Sequence, residues 1–204
     1  MSTAMAMDAH LDPKPGEAAP GKIAMWLFLA TEIMFFAGLL GSYIVLRMAH
    51  PQEFNPDWLE HRFVRLSVEW SALNTVVLIF SSLTMALAVQ NSHEGNDAGV
   101  RKFMFLTFLM GVCFCMIKSI EYSAKFHHHI YPNTSIFYSF YFTLTGVHAL
   151  HVIGGMIPIG WMALRSANGR YTGHGNNTIE YIGIYWHFVD LVWIFLFPLL
   201  YLIR

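Results

Sequence analysis

Five long apolar stretches, at residues 23–46, 67–90, 103–124, 136–164 and 179–203, constrain this chain more than any other feature. Each reaches the ~20 residues that an α-helix needs to cross the hydrocarbon of a bilayer. Backbone polar groups in lipid must be satisfied within the segment, so each stretch is expected to be a helix. A barrel would instead show short strands of alternating polarity, and the stretches carry no such alternation. The expected fold is all-α: a polytopic membrane protein, a bundle of five transmembrane helices. Charged residues make up 12% of the 204, against ~25% in soluble domains. With 55% hydrophobic residues, that balance argues against a disordered chain, a nucleic-acid binder or a secreted disulfide scaffold. Cys113 and Cys115 stand at i,i+2 inside the third stretch, facing different sides of a helix, and read as small apolar side chains.

Residues 1–22 contain Pro13, Pro15, Gly16 and Pro20 and no apolar run, which predicts a polar tail and not a cleavable signal peptide. Residues 23–204 then form one five-helix domain, with loops near 47–66, 91–102, 125–135 and 165–178. Any chemistry lies within the membrane or at its edge. Lys and Arg divide almost evenly between the two sides, so the positive-inside rule does not choose an orientation.

Ionisable groups inside such helices are costly and usually face a protein interior. Glu32 follows Lys22 by ten residues, which places it ~15 Å deep at the helical rise. His148 and His151 lie one turn apart in the fourth stretch, and His187 and Asp190 repeat that spacing in the fifth. Glu69 and Glu121 are nearer the opposite surface, with Lys118 and Lys125 within one turn of Glu121. Three readings compete for this constellation. Histidines on neighbouring helices can ligate haem iron or another metal. A midplane carboxylate such as Glu32 is a candidate proton carrier. Alternatively, the polar groups bond helix to helix and set the packing, at ~0.6 kcal/mol each on average.

Other features carry weaker signals. His127-His128-His129 falls at the end of the third helix and reads as an interfacial loop before a metal site. The tryptophans Trp26, Trp58, Trp70, Trp161, Trp186 and Trp193 mostly fall near predicted helix ends, as interface anchors do. Arg165, Arg170 and His174 make a basic loop, in which Arg165 and His174 are candidates for capturing anionic lipid headgroups, with ordinary snorkelling as the plainer account.

Five motifs, one in each apolar stretch, resemble a known family. Tyr185-Trp186-His187-Phe188-Val189-Asp190 resembles the last-helix signature of subunit III of haem–copper terminal oxidases. Thr145-Gly146-Val147-His148-Ala149-Leu150-His151-Val152 is similar to the family's Thr-Gly-x-His-x-x-His-Val. Glu121-Tyr122 fits its third-helix pair, and Glu69 with Leu73-Asn74-Thr75 fits its Glu-x-x-x-Leu-Asn-Thr segment. Thr31-Glu32-Ile33-Met34-Phe35-Phe36 is similar to the core around the family's buried carboxylate. Many members have seven helices; five is the form of the shorter bacterial subunits, found with both cytochrome c and quinol as electron donor.

The resemblance implies a non-redox subunit of a proton-pumping terminal oxidase. Haem and copper would belong to partner subunits and none to this chain. Subunit I would be the main contact and subunit II a further one, with bound phospholipids, and with a small fourth subunit or a supercomplex as other partners. Glu32, Glu69, Glu121, His148, His151, His187 and Asp190 would then form a buried polar network with no catalytic residue and no metal ligand among them. The family's topology implies a bacterial cytoplasmic membrane, with the N-terminus cytoplasmic and the C-terminus periplasmic. The nearest alternative is an accessory membrane subunit of a nitric oxide reductase, and a more remote one is a proton or small-solute transporter.

Overall fold

The computed structural model describes residues 20–54, 61–133, 135–166 and 177–202, with side chains described for all of these except 20, 52, 53 and 61–67. Five long helices account for the apolar stretches: α1 Pro20–Ala49, α2 His61–His93, α3 Asp97–His127, α4 Ile136–Arg165 and α5 Thr178–Phe197. All five are long and apolar enough to cross a membrane, and no strand occurs among the described residues. A one-turn helix, Pro51–Phe54, follows α1. The N-terminal tail up to residue 19, and with it His174 and Arg170 of the basic loop, lies outside the described residues.

Helices α1 to α3 overrun their apolar stretches at both ends because a helix ends where its terminal N–H and C=O groups find other partners, not where hydrophobicity stops. The loop expected at 91–102 shrinks to three residues between α2 and α3. Gly95 takes a left-handed φ of 76°, and Asn96 caps α3 by accepting from the Gly99 N–H at 3.1 Å. At the far end of α3, His129 adopts φ 57°, and the N–H groups of His128, His129 and Ile130 donate to the last carbonyls of the helix. Ser135 caps α4 through the Tyr138 N–H. Pro158 stands inside α4 without ending it. At Pro198, which has no N–H to continue the ladder, α5 passes into a π turn, Pro198–Leu202.

Helices α2 to α5 pack as a closed ring in which α2 touches α3 and α5, and α4 touches the same two. The core lies inside this ring: Leu78 and Met85 from α2, Met104 and Phe114 from α3, Leu144 and Ile159 from α4, Trp186 and Trp193 from α5. Glycine makes the tightest layer possible. A Cβ on Gly111 would sit 2.7 Å from Met156 Sδ and 3.1 Å from the Trp186 ring, and one on Gly155 would sit 2.9 Å from Tyr185 and 3.0 Å from Trp186. The two glycines thus open the space that the Trp186 indole fills.

Helix α1 stands outside the ring. It is the least buried of the five and packs chiefly on α5, exposing Trp26, Leu27, Met34 and Val45 among others. In the membrane reading those side chains meet lipid or another protein.

Candidate functional site

The polar side chains that the sequence places inside the membrane fall into three groups. The first is at the end of the ring where α3 finishes and α4 begins. Glu121 is buried there, and its two oxygens accept from five donors. Lys125 Nζ (2.8 Å) and the Tyr141 and Tyr201 hydroxyls (2.7 and 3.0 Å) reach Oε1. Lys118 Nζ (2.7 Å) and, more weakly, the Ser71 hydroxyl (3.4 Å) reach Oε2. Lys118 and Glu121 form an ion pair with side chains only 5% and 4% exposed. Two charges removed from water need near-complete hydrogen bonding to be tolerated. Here Lys118 also donates to the Tyr201 hydroxyl and lies 4.6 Å from the centre of the Trp193 ring, a cation–π arrangement. Residues from α2, α3, α4 and the π turn thus meet on one carboxylate.

The second group surrounds Trp193 at the centre of the ring. The indole N–H donates to the Thr75 hydroxyl at 3.0 Å, the Phe114 ring meets it edge-on, and the His148 ring lies 5.1 Å away at 30°. His148, Asn74 and Asp190 are all buried. The side-chain N and O atoms of Asn74 and His148 have no hydrogen-bond partner among the described residues. An unsatisfied buried polar group costs ~1–3 kcal/mol. One turn away, Trp186 donates to the Ser81 hydroxyl and His187 Nδ1 pairs with the Ser82 hydroxyl at 2.8 Å.

The third group ties α1 to the ring. His151 Nε2 lies 2.9 Å from Glu32 Oε2, and its Nδ1 lies 2.8 Å from the Val147 carbonyl. A carbonyl can only accept, so Nδ1 carries a hydrogen. The Glu32 contact is therefore either imidazolium to carboxylate or a carboxylic acid donating to neutral Nε2, and in both cases the pair shares one proton. The Phe36 ring packs edge-on against His151. Nearer one end Lys22 pairs with Glu180 at 2.9 Å; towards the other the Tyr43 hydroxyl donates to the Leu199 carbonyl at 3.3 Å.

The polar side chains therefore fall into three assemblies, the first two of which touch where Lys118 meets the Trp193 ring. His148 and His151, one turn apart on α4, divide between the interior and α1. His187 turns towards Ser82 of α2, and Asp190 is buried in the ring. Glu69 departs from the expectation: it is exposed at the end of the α2 span, where water or another protein can solvate its charge. A second correction concerns Trp186 and Trp193, which are fully buried core side chains and not interface anchors, whereas Trp26 and Trp161 are exposed. Their stabilising partners, the α2 hydroxyls Thr75 and Ser81, were visible in the sequence as polar positions in an apolar run. The contribution of Tyr141 and Tyr201 to the Glu121 site had no comparable signal. Arg165 is exposed and stacks its guanidinium 4.3 Å above the Trp161 ring. Cys113 and Cys115 are free and half-buried. Among the described residues no three His, Cys, Asp or Glu side chains converge as a metal-binding group would require.

Residues 18–203 match the protein family described as cytochrome c oxidase subunit III. The probable cytochrome c oxidase subunit 3 of Nocardia farcinica is 32% identical over 99% of this chain and 96% of its own length. Cytochrome c oxidase subunit 3 of Corynebacterium diphtheriae is 34% identical over 94% of this chain and 90% of its own. Subunit 3 of the cytochrome bo(3) ubiquinol oxidase of Pseudomonas putida is 32% identical, covering 89% and 84%. With five spanning helices of the expected order and a match that runs through all of them, this chain belongs to the cytochrome c oxidase subunit III family.

Proposed function

We propose that this chain is the non-redox third subunit of a haem–copper terminal oxidase in a bacterial cytoplasmic membrane, with its N-terminus cytoplasmic and its C-terminus periplasmic. The observation that carries the reading is the family match across residues 18–203, together with relatives that are named as oxidase subunits. Those names favour an oxidase over a nitric oxide reductase accessory subunit. In this role the haem and copper belong to subunits I and II. The chain packs against subunit I, holds phospholipids and supports the proton-uptake path.

The physical basis is restriction of local opening. Reducing dioxygen to water consumes protons, which must enter subunit I through a hydrated mouth that keeps its shape during turnover. A rigid helical ring on the flank of that mouth raises the free energy of local unfolding there. The Glu121, Trp193 and Glu32 groups supply the rigidity by joining helices distant in sequence, and the exposed apolar face of α1 supplies surface for lipid or a partner helix. Arg165, stacked on Trp161 at the end of α4, is a candidate for holding an anionic headgroup, and His174 is a second candidate.

The test is to tag the C-terminus, purify the chain in mild detergent from its native membranes, and identify its companions by mass spectrometry and optical spectra. Two larger subunits carrying haem and copper, with oxygen consumption, are the expected result. The chain arriving alone and colourless would overturn the reading.

A further inference from the structure

We propose that the Glu32–His151 pair is a proton-operated latch, which holds α1 against α4 while a proton lies between its facing atoms and loosens when that proton leaves. The inference rests on the geometry of α1 and the ring and not on the oxidase reading. His151 faces an acceptor at each ring nitrogen: the Val147 carbonyl lies 2.8 Å from Nδ1, and Glu32 Oε2 lies 2.9 Å from Nε2. Both contacts are hydrogen bonds only if the imidazole and the carboxyl carry two hydrogens between them. Take one away, and a neutral ring faces a carboxylate. With the ring hydrogen on Nδ1, the Nε2 lone pair points at Oε2. With it on Nε2, the Nδ1 lone pair points at the Val147 carbonyl, and the ring loses the bond that orients it. The tie is weakened in either tautomer. A third hydrogen does no harm, because an imidazolium Nε2–H donates to a carboxylic acid as well as to a carboxylate. The latch therefore works in one direction, closed in acid and open in alkali.

The position of α1 is what lets one hydrogen bond matter. The helix stands outside the ring and packs chiefly on α5. It is fixed there near one end by the Lys22–Glu180 pair and by Phe28 against the Tyr185 ring, and towards the other by Tyr43 on the Leu199 carbonyl. Towards α4 it reaches through Glu32 and Phe36 at His151 and, two to three turns on, through the Tyr43 ring against Phe140. Opening the latch thus frees the middle of α1 from α4 while both ends stay attached. The pair is not sealed in: its side chains are 20% and 19% exposed, so a proton can come and go without unpacking the core. Glu32 is the one titratable residue between positions 23 and 42 of α1. On α5 the Tyr185 hydroxyl donates to the His151 carbonyl at 3.0 Å, His187 pairs with Ser82, and Asp190 is buried in the ring. On α4 His148 is turned inward against Trp193.

The experiment uses the chain in the assembly in which it is extracted from its membrane. Amide hydrogen exchange, read by mass spectrometry on peptides from the middle of α1, reports local opening there. Wild type is compared with Glu32→Gln at each pH from about 5 to 9, so that the intrinsic pH dependence of exchange cancels. Glutamine donates to Nε2 at every pH and keeps the latch closed. The two proteins should exchange alike at the acid end. At the alkaline end the wild type should exchange about fivefold faster or more, the equivalent of one lost hydrogen bond. Peptides from the middle of α5 should show no such divergence. His151→Gln, whose amide donates to the Glu32 carboxylate, should also abolish the pH dependence and serves if Glu32→Gln does not accumulate. A wild-type to variant ratio that stays constant across the range would overturn the proposal. So would an alkaline rise that persists in either variant, since it would belong to another group.

Discussion

Glu32 and His151 are 119 positions apart in the chain, yet their side chains meet at 2.9 Å where α1 lies against the helical ring. Because the His151 Nδ1 is occupied by the Val147 carbonyl, the Nε2 has Glu32 as its polar partner, and the contact needs one proton but no particular charge. Glu32→Gln keeps a side chain that can donate to Nε2, so α1 should stay docked and the chain should assemble as before. Glu32→Leu should weaken the docking of α1 by about 1 kcal/mol, the cost of a stranded, partly buried group. The thermal midpoint of each variant in purified membranes separates the two. Equal loss for Gln and Leu would show that charge, not hydrogen bonding, holds the pair.

The Glu121 site should respond far more strongly. Glu121→Gln leaves Lys118 and Lys125 facing each other with no anion, and breaking a buried ion pair from one side costs about 3–5 kcal/mol. The chain should then be recovered at low yield. Adding Lys118→Met to the same variant removes one of the two uncompensated charges and should restore part of the yield. Additive losses in the double variant would mean that the two side chains do not act as a unit.

Trp193 tests the interior of the ring. Trp193→Phe loses the bond to Thr75, but the Thr75 hydroxyl also donates to the Ser71 carbonyl at 2.9 Å, so no polar group is stranded and the loss should stay near 1 kcal/mol. Trp193→Ala should cost about 3–5 kcal/mol through the cavity it leaves. Chemical or thermal unfolding of the two variants in detergent measures the difference.

Glycine substitutions distinguish the inside of the chain from its outer face. Gly155→Ala drives a methyl into the Tyr185 and Trp186 rings and should destabilise by about 1–3 kcal/mol. Gly38 and Gly41 on α1 have nothing within 4 Å of a built Cβ, so alanine there should be neutral or slightly stabilising for the chain by itself. If Gly38→Ala nevertheless reduces co-purification with partner subunits, a partner helix must approach α1 at that point. Comparing chain stability with recovery of the assembly reads the two effects separately.

The existence and order of the five helices were legible because a bilayer demands length and apolarity, and both are written directly into residues 23–46 and its four successors. Which face of each helix turns inward was not. In a soluble bundle the apolar stripe marks the core, but here Leu73 and Ile79 are exposed while Leu78 is buried, since lipid and core are equally apolar. Only polar residues mark the inner face. Glu121, His148 and Asp190, deep within their helices, are buried. Glu69, at the end of its span, is not, because a charge there can reach water along the surface. Trp186 and Trp193 misled for the opposite reason: an indole suits both an interface and a core, and only the Ser81 and Thr75 hydroxyls on α2 decide between them.

The attachment of α1 also bears on how the chain is made. Of the five helices α1 leaves the ribosome first and α5 last, and synthesis proceeds at ~5–20 residues per second. Yet α1 docks chiefly on α5, and α5 is also the member that closes the ring between α2 and α4. For much of translation, then, α1 waits in the bilayer without its partner and the ring stands open. A stop codon before residue 178 would leave α2, α3 and α4 packed on one another but the ring open and α1 without its main support, so quality control can judge this protein by its final helix.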